Sequence, residues 1–300
     1  MIHEIPGSDV SFATVNGIEM AYETFGFNNH PAILLIMGLG VQMVVWDEEF
    51  CKRLAARGYF VIRFDNRDAG LSSNLAGAGV PNISEITALQ SVGTKLGVPY
   101  TLEDMADDTV GLMDSLSIDS AHIVGLSMGG MIGQVMGLRY PKRVRTLTLV
   151  MSSTGNPNLP PPKPEAMSVL MLPIPAERSA YIQGWLNVWK VLSGPKMPVG
   201  GSLGRKWAEL SHDRGINPDG FLRQMAAIVA SGNRKEALKN LSVPTLVIHG
   251  DSDPLLSIDY GIDTADSIPG AKLCIIEGMG HTLPEALWNR VIETVAAHAI

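Results

Sequence analysis

Ser127 stands at the centre of a Gly-Leu-Ser-Met-Gly motif at residues 125–129. Before the motif, the apolar residues 121–124 predict a buried strand, and after it residues 130–140 predict a helix of small residues that ends before Pro141. A serine on a sharp turn between a strand and a helix presents its hydroxyl at the end of the sheet, where it can act as a nucleophile. The motif therefore predicts covalent catalysis by Ser127.

A serine hydroxyl is a poor nucleophile, so it needs a base, and in a sheet enzyme of this kind the base follows an acid in the chain. Of the four histidines after Ser127, His281 lies in a glycine-rich loop that follows the last predicted strand. Loops at the carboxyl ends of parallel strands can reach the serine. We predict that His281 is the base and that His249, at a strand end, is a packed residue.

Two carboxylates, Asp251 and Asp253, follow the predicted strand at residues 246–248. We expect these two side chains to point in different directions, so that only one of them contacts His281. Asp253 lies farther into the loop and is the predicted catalytic acid, whereas Asp251 is expected to cap the turn through backbone N–H groups. Pro254 and the missing glycine and glutamate exclude a calcium-loop pattern. We expect no metal and no organic cofactor.

The negative oxygen that develops during ester hydrolysis needs two preorganised donors. One is the backbone N–H of Met128, directly after the nucleophile. The other is expected in the Met-Gly-Leu-Gly loop at residues 37–40, after the predicted strand at 33–36, and Leu39 is the candidate, with Gly38 shaping the turn. The same loop is not a dinucleotide site, because no third glycine follows at position 43.

The elements that must position these residues alternate along the chain. A hairpin around Asn16-Gly17 comes first, and further strands are predicted at residues 33–36, 60–64, 121–124, 147–150, 246–248 and 273–276, separated by helical patterns. This alternation predicts an α/β fold with a mostly parallel central sheet and helices on both faces.

The alternation stops between residues 152 and 240, where a proline-rich exit at 156–164 leads into helical patterns. We predict a core made of residues 1–151 and 241–300 and a helical cap made of residues 152–240. The cap has eleven Lys and Arg against six Asp and Glu, a net +5, and the remainder of the chain carries −12. We therefore expect the basic cap to sit on an acidic core.

Methionine and tryptophan side chains predict an apolar substrate pocket between the cap and the core. Such a pocket fits neutral carboxylic esters of small to medium size. The predicted lining residues are Met37, Gly38, Val41, Met167, Met171, Trp185 and Trp189.

Composition excludes several classes of protein. The 300-residue chain is 46% hydrophobic with a net charge of −7, so it can bury a full core but lacks the basic surface of a nucleic-acid-binding protein. Two cysteines form no disulfide framework, and no apolar run reaches the 18 residues of a membrane span. Residues 1–6 show no signal-peptide pattern, so we expect a cytoplasmic protein. A homodimer formed through the cap is compatible with its charge.

These motifs together resemble the α/β-hydrolase superfamily over essentially the whole chain, including residues 64–72 and the Gly-Asp-Ser-Asp-Pro segment at 250–254. Residues 124–129 and 277–281 are similar to aclacinomycin methylesterase and related bacterial carboxylesterases. The resemblance implies an α/β-hydrolase fold, with Asp253 as the triad acid and Leu39 and Met128 as oxyanion donors. One departure is Met37, because many members have histidine there, and its absence removes a polar group near the acyl pocket.

The sequence thus predicts a serine carboxylic-ester hydrolase that uses a Ser-Asp-His triad and a small-molecule ester substrate. Lactonases and C–C bond hydrolases share the same framework and stay open as alternatives. A non-catalytic ligand receptor is the alternative from a different class. Such proteins often lose a member of the triad, and all three candidates are present here.

Overall fold

A single eight-stranded sheet forms the centre of the protein in a computed structural model that describes residues 5–91, 97–194 and 196–300. The strand order is β1-β2-β4-β3-β5-β6-β7-β8; β2 is antiparallel to both β1 and β4, and all other neighbours are parallel. The predicted α/β fold is therefore confirmed. The strands are β1 (Ser11–Val15), β2 (Ile18–Phe25), β3 (Ala32–Ile36), β4 (Phe60–Phe64), β5 (Ala121–Leu126), β6 (Val144–Val150), β7 (Thr245–Gly250) and β8 (Lys272–Ile276).

Helices cover both faces of this sheet. Alternate residues of a strand point to opposite faces, so Leu34 packs in one apolar core with α3 and α4, while Ile33 packs in the other with α1 and α11. The helices are α1 (Glu48–Ala55), α2 (Ile83–Ser91), α3 (Leu102–Ser115), α4 (Met128–Arg139), α5 (Pro164–Leu170), α6 (Arg178–Leu192), α7 (Gly201–Asp213), α8 (Pro218–Ser231), α9 (Lys235–Leu238), α10 (Ile258–Ser267) and α11 (Glu285–His298). None of the helices within the described ranges has the length and apolar character that crossing a membrane requires.

Local sequence signals explain where several elements begin and turn. Asn16 and Gly17 both have positive φ, 46° and 79°, which is the backbone conformation that a two-residue hairpin between β1 and β2 needs. At the start of α3 the backbone N–H of Thr101 donates to the Asp104 carboxylate at 2.8 Å, which is one half of a capping box. The hairpin turn and the capped helix start thus determine where β2 and α3 begin.

Residues 152–240, called the helical insert below, lie between β6 and β7 and contain α5 to α9. Ion pairs join basic side chains of the insert to acidic side chains of the remaining chain. In each of these pairs the cation is on the insert and the anion is on the remaining chain, as the net charges of the two parts favour. The pairs are Arg214–Asp65, Arg223–Asp68, Lys206–Asp47, Lys235–Asp263 and Lys196–Glu277.

Candidate active site

Ser127 occupies the turn between β5 and α4 with φ 54° and ψ −115°, a strained conformation for a residue with a side chain. The surroundings leave no space for side chains at the two flanking glycines. A Cβ on Gly125 would lie 2.2 Å from the Gly129 carbonyl oxygen, and one on Gly129 would lie 2.1 Å from the Ile36 carbonyl oxygen. Close packing of strand, turn and helix thus holds the Ser127 backbone in the conformation that its motif predicts.

A continuous row of hydrogen bonds joins Ser127, His281 and Asp253. The distance from His281 Nε2 to Ser127 Oγ is 3.0 Å, and that from His281 Nδ1 to Asp253 Oδ2 is 2.7 Å. A carboxylate only accepts, so Nδ1 carries the proton and Nε2 is free to accept from the serine hydroxyl. The structure therefore brings together the three side chains that the sequence predicts, in the order that nucleophilic catalysis requires.

The two carboxylates after β7 make different contacts. Asp253 Oδ1 accepts from the backbone N–H groups of Leu255 and Leu256, both at 2.8 Å, which leaves Oδ2 for the histidine. Asp251 instead accepts from the Gly278 N–H at 2.7 Å and so supports the loop that carries His281. The prediction was that Asp251 caps its own turn, whereas the N–H that it binds belongs to the loop after β8.

His249 lies behind Asp253, fully buried at the end of β7. Its Nε2 donates to the Leu256 carbonyl at 2.8 Å, and burial keeps the pKa of His249 below its ordinary value. A neutral His249 therefore helps to hold the turn whose N–H groups bind Asp253. Its packed position at the strand end agrees with the prediction.

The loop at residues 37–40 packs directly on the turn that carries Ser127. A Cβ on Gly38 would lie 3.3 Å from the Ser127 Cβ, and the Met37 carbonyl accepts from Asn66 Nδ2 at 3.0 Å. Leu39 lines the same cavity as Ser127, and Met128 follows Ser127 at the first position of α4. Both predicted donors therefore lie near the candidate nucleophile.

Two buried glutamines connect this loop to the helical insert. Gln224 on α8 accepts from the Gly40 N–H at 2.7 Å and donates to the Arg67 carbonyl at 2.8 Å. Gln42 donates to the carbonyls of Ser211 and Gly215 at 2.8 and 2.7 Å. Sequence reasoning missed both glutamines. The available signal was a polar residue, Gln224, on the buried face of α8.

An apolar cavity of about 210 Å³ opens beside Ser127 and His281. No Lys, Arg, Asp or Glu is among the described residues that line it. Most of the predicted lining residues are present, namely Met37, Gly38, Val41, Trp185 and Trp189. Leu39, the predicted oxyanion donor, also lines the cavity. The wall residues not named from the sequence are Val45, Trp46, Leu126, Met131, Leu170, Val188, Leu192, Trp207, Ile228, Leu255, Leu256, Thr282 and Leu283.

The prediction that Met167 and Met171 line the pocket is wrong. Their exposed fractions are 37% and 46%, and neither reaches the cavity. The residues of α5 that face inward are Ala166 and Val169, three residues apart. Met171 lies four positions after Met167, so both methionines share the outward face. Leu170 forms the wall instead.

A family model described as the alpha/beta hydrolase fold matches residues 31–285, so the chain belongs to this family. It is 28% identical to rhodomycin D methylesterase DauP of Streptomyces sp. (strain C5), over 95% of this chain and 96% of that protein. It is 29% identical to rhodomycin D methylesterase DnrP of Streptomyces peucetius, over 89% and 90%. A solved hydrolase from Pseudomonas aeruginosa PA01 aligns over 96% of both chains with a TM-score of 0.69 and 25% identity.

Proposed function

We propose that this protein is a serine carboxylic-ester hydrolase that acts on neutral, largely apolar esters of small to medium size. The observation that carries the proposal is the hydrogen-bonded row of Ser127, His281 and Asp253 at the wall of an apolar cavity. Similarity to proteins named methylesterases, along almost the whole chain, supports it. In this proposal residues 152–240 form a cap over the site, and residues 1–151 and 241–300 form the catalytic core.

In the first half of the reaction, Ser127 Oγ attacks the ester carbonyl carbon while His281 Nε2 takes its proton. Asp253 keeps the imidazole in the required tautomer and stabilises the imidazolium. The N–H groups of Leu39 and Met128 donate to the negative oxygen of the tetrahedral intermediate. His281 then returns the proton to the leaving alkoxide oxygen, and the acyl group stays on Ser127.

In the second half, a water molecule attacks the acyl-enzyme carbonyl while His281 takes the water proton. The tetrahedral intermediate collapses, the carboxylic acid leaves and Ser127 regains its proton from His281. Every proton transfer uses the same nitrogen, His281 Nε2. We therefore expect activity to fall when the imidazole is protonated.

The lining of the cavity favours substrates without charge. A buried carboxylate on a substrate needs a cation or several donors, and the described lining residues include no Lys or Arg. Apolar walls also match the hydrophobic part of an ester. Neutral lactones can react with the same Ser127, His281 and Asp253 and are included in the hydrolysis test below. Substrates with free carboxylates fit this cavity poorly.

Hydrolysis of p-nitrophenyl esters from acetate to laurate by the wild type and by Ser127→Ala tests the proposal. We expect the variant to lose at least about 10⁴-fold in kcat, because the nucleophile is absent. Ser168→Ala, an exposed serine on α5, is the matched control and should keep wild-type rates.

Two results would contradict the esterase. One is a wild type no faster than Ser127→Ala on every ester and on neutral lactones. The other is tight binding of an apolar ester with no turnover, which would favour the ligand receptor. A Ser127→Ala variant that still unfolds cooperatively at the wild-type temperature excludes misfolding as the cause of a lost activity.

A further inference from the structure

A second apolar cavity of about 180 Å³ adjoins the catalytic cavity on the side of the helical insert. The two cavities share three wall residues, Leu170, Trp185 and Val188. The other walls of the second cavity come from α5, the loop between α5 and α6, α6 itself and Phe221 on α8. The side chains of Leu170, Trp185 and Val188 therefore lie between the two cavities.

The chemistry of the second cavity resembles that of the first. The described residues that line it include prolines, leucines and aromatic rings, and none of them carries a charge. The polar side-chain groups of that described set are the hydroxyl of Tyr181, which is buried, and the indole N–H of Trp185. Such a space favours hydrocarbon, because burial of apolar surface yields roughly 25 cal/mol per Å².

The sizes of the cavities indicate that one alone does not hold a complete ligand. Ligand pockets usually measure at least roughly 300 Å³. The volumes of about 210 and about 180 Å³ each fall below that limit, and the two together exceed it.

Gly184 keeps part of the second cavity open. It lies in the interior of α6, where a glycine costs about 1 kcal/mol relative to alanine. Neither a positive φ nor a close neighbour requires glycine there, since an added Cβ would have Pro175 Cδ, at 4.0 Å, as its only contact. By contrast, a Cβ on Gly204 of α7 would lie 3.2 Å from the Trp189 ring. Because Gly184 has no side chain, it leaves space in the second cavity.

We propose that the second cavity holds an extended apolar part of the substrate whose ester carbonyl lies at Ser127. This inference rests on the proposed esterase function. It defines the substrate class as neutral esters with one extended apolar group, which passes the side chains of Leu170, Trp185 and Val188. That group belongs either to the acyl part or to the alcohol part of the ester.

Gly184→Leu fills the second cavity and tests the proposal. The values of kcat/KM are measured for p-nitrophenyl esters from acetate to laurate and for alkyl acetates from methyl to dodecyl. We expect the ratio of the long-chain to the short-chain value to fall by about tenfold or more in one series, since methylenes excluded from a hydrophobic pocket cost at least that much. The affected series identifies the extended part as acyl or alcohol.

Two further variants make the result specific. Gly201→Leu adds the same side chain at an exposed position of α7, where an added Cβ has no neighbour within 4 Å, and should keep the wild-type ratio. Leu172→Asp places a charge in the wall of the second cavity at a residue that is 55% exposed, so its fold should survive. It should lower the same ratio as Gly184→Leu.

The possible failures are distinguishable. A wild type that hydrolyses no ester in either series overturns both the esterase and the second cavity as a substrate site. A wild type that hydrolyses short esters, but no long ones in either series, overturns only the second cavity. Ratios of long-chain to short-chain kcat/KM that stay within about twofold of wild type in both Gly184→Leu and Leu172→Asp also overturn only the second cavity. A twofold change is far below the expected tenfold loss.

Discussion

The carboxyl edge of the sheet and the helical insert enclose the same cavity, but different interactions build their two sides. At the sheet edge, Ser127, Asp253 and His281 are fixed by hydrogen bonds of 2.7–3.0 Å. On the insert side, the cavity walls are apolar side chains such as Trp185 and Val188. Directional contacts tolerate little displacement, whereas apolar walls keep their function through many changes of size. Under the proposed function, we expect the sheet edge to determine the reaction and the insert to determine which esters enter.

The insert has its own polar contacts, but they lie where it meets the core. Arg223 and Asp68 form a fully buried pair, and Gln224 next to it binds the loop that carries Leu39. We therefore expect the insert to influence the proposed reaction through α8 and substrate choice through α5 and α6. The following substitutions separate these two contributions.

Asp253→Asn should produce the largest effect. The amide can no longer fix the required histidine tautomer, and we expect kcat to fall by about 10⁴-fold. Asp251→Asn is a matched control two residues away. Its amide oxygen can still accept from the Gly278 N–H, so this variant should retain most activity. Steady-state kinetics on a short p-nitrophenyl ester measure both. Equal losses in the two variants would contradict the assignment of Asp253.

Arg223→Met should lower the free energy of unfolding by about 3–5 kcal/mol, because it leaves Asp68 buried without its cation. Lys196→Met removes an exposed pair with Glu277, which water and salt screen, and should have a much smaller effect. Urea unfolding measures both changes. A small loss in Arg223→Met would show that α8 is not held to the core by this pair.

The same pair predicts a dependence on pH. Burial alone would raise the pKa of Asp68, but the hydrogen bond from Arg223 holds that pKa below its ordinary value. The resulting stability is complete above the unfolded-state pKa, about 3.9, and is lost as the pH falls through the lower folded-state pKa. In Arg223→Met burial remains without this hydrogen bond and raises the pKa of Asp68. The stability difference between wild type and variant should therefore begin to narrow already above about pH 4 as the pH falls, and should continue to narrow below it.

Gln224→Met should lower kcat by roughly tenfold to a hundredfold with little change in KM, since a displaced oxyanion loop weakens binding of the transition state. Gln134→Met is the control, because Gln134 is equally buried and bonded to Ser153 and Arg234. Gln224→Glu keeps an acceptor for the Gly40 N–H and should recover part of the rate. A similar fall of kcat in Gln134→Met would indicate a general loss of packing.

Gly184→Ala should give the smallest effect, a stabilisation of up to about 1 kcal/mol from the better helix propensity of alanine. Gly204→Ala should give no such gain, because its Cβ would press on Trp189 and Leu186 at 3.2 and 3.3 Å. Thermal unfolding compares the two. Stabilisation in Gly204→Ala alone would contradict the open space assigned to Gly184.

Short-range patterns in the sequence were sufficient to predict the strands, the turn at Ser127 and the chain order of the triad candidates. Each triad candidate follows a strand of the sheet: Ser127 comes after β5, Asp253 after β7 and His281 after β8. Parallel strands bring their carboxyl ends to one edge of the sheet, so residues that directly follow different strands lie close together there. For this reason the catalytic residues could be chosen without coordinates.

Only the tertiary structure decided what the helical insert contributes. The sequence does not show which face of α5 points inward, so Met167 was chosen where Leu170 forms the wall. It likewise does not show that Gln224 meets Gly40, or that Gly184 leaves a cavity. Helices in the insert are placed by side-chain packing and by ion pairs between distant segments, not by the regular register of a sheet. Such contacts depend on three-dimensional distance, which a pattern of neighbouring residues does not contain.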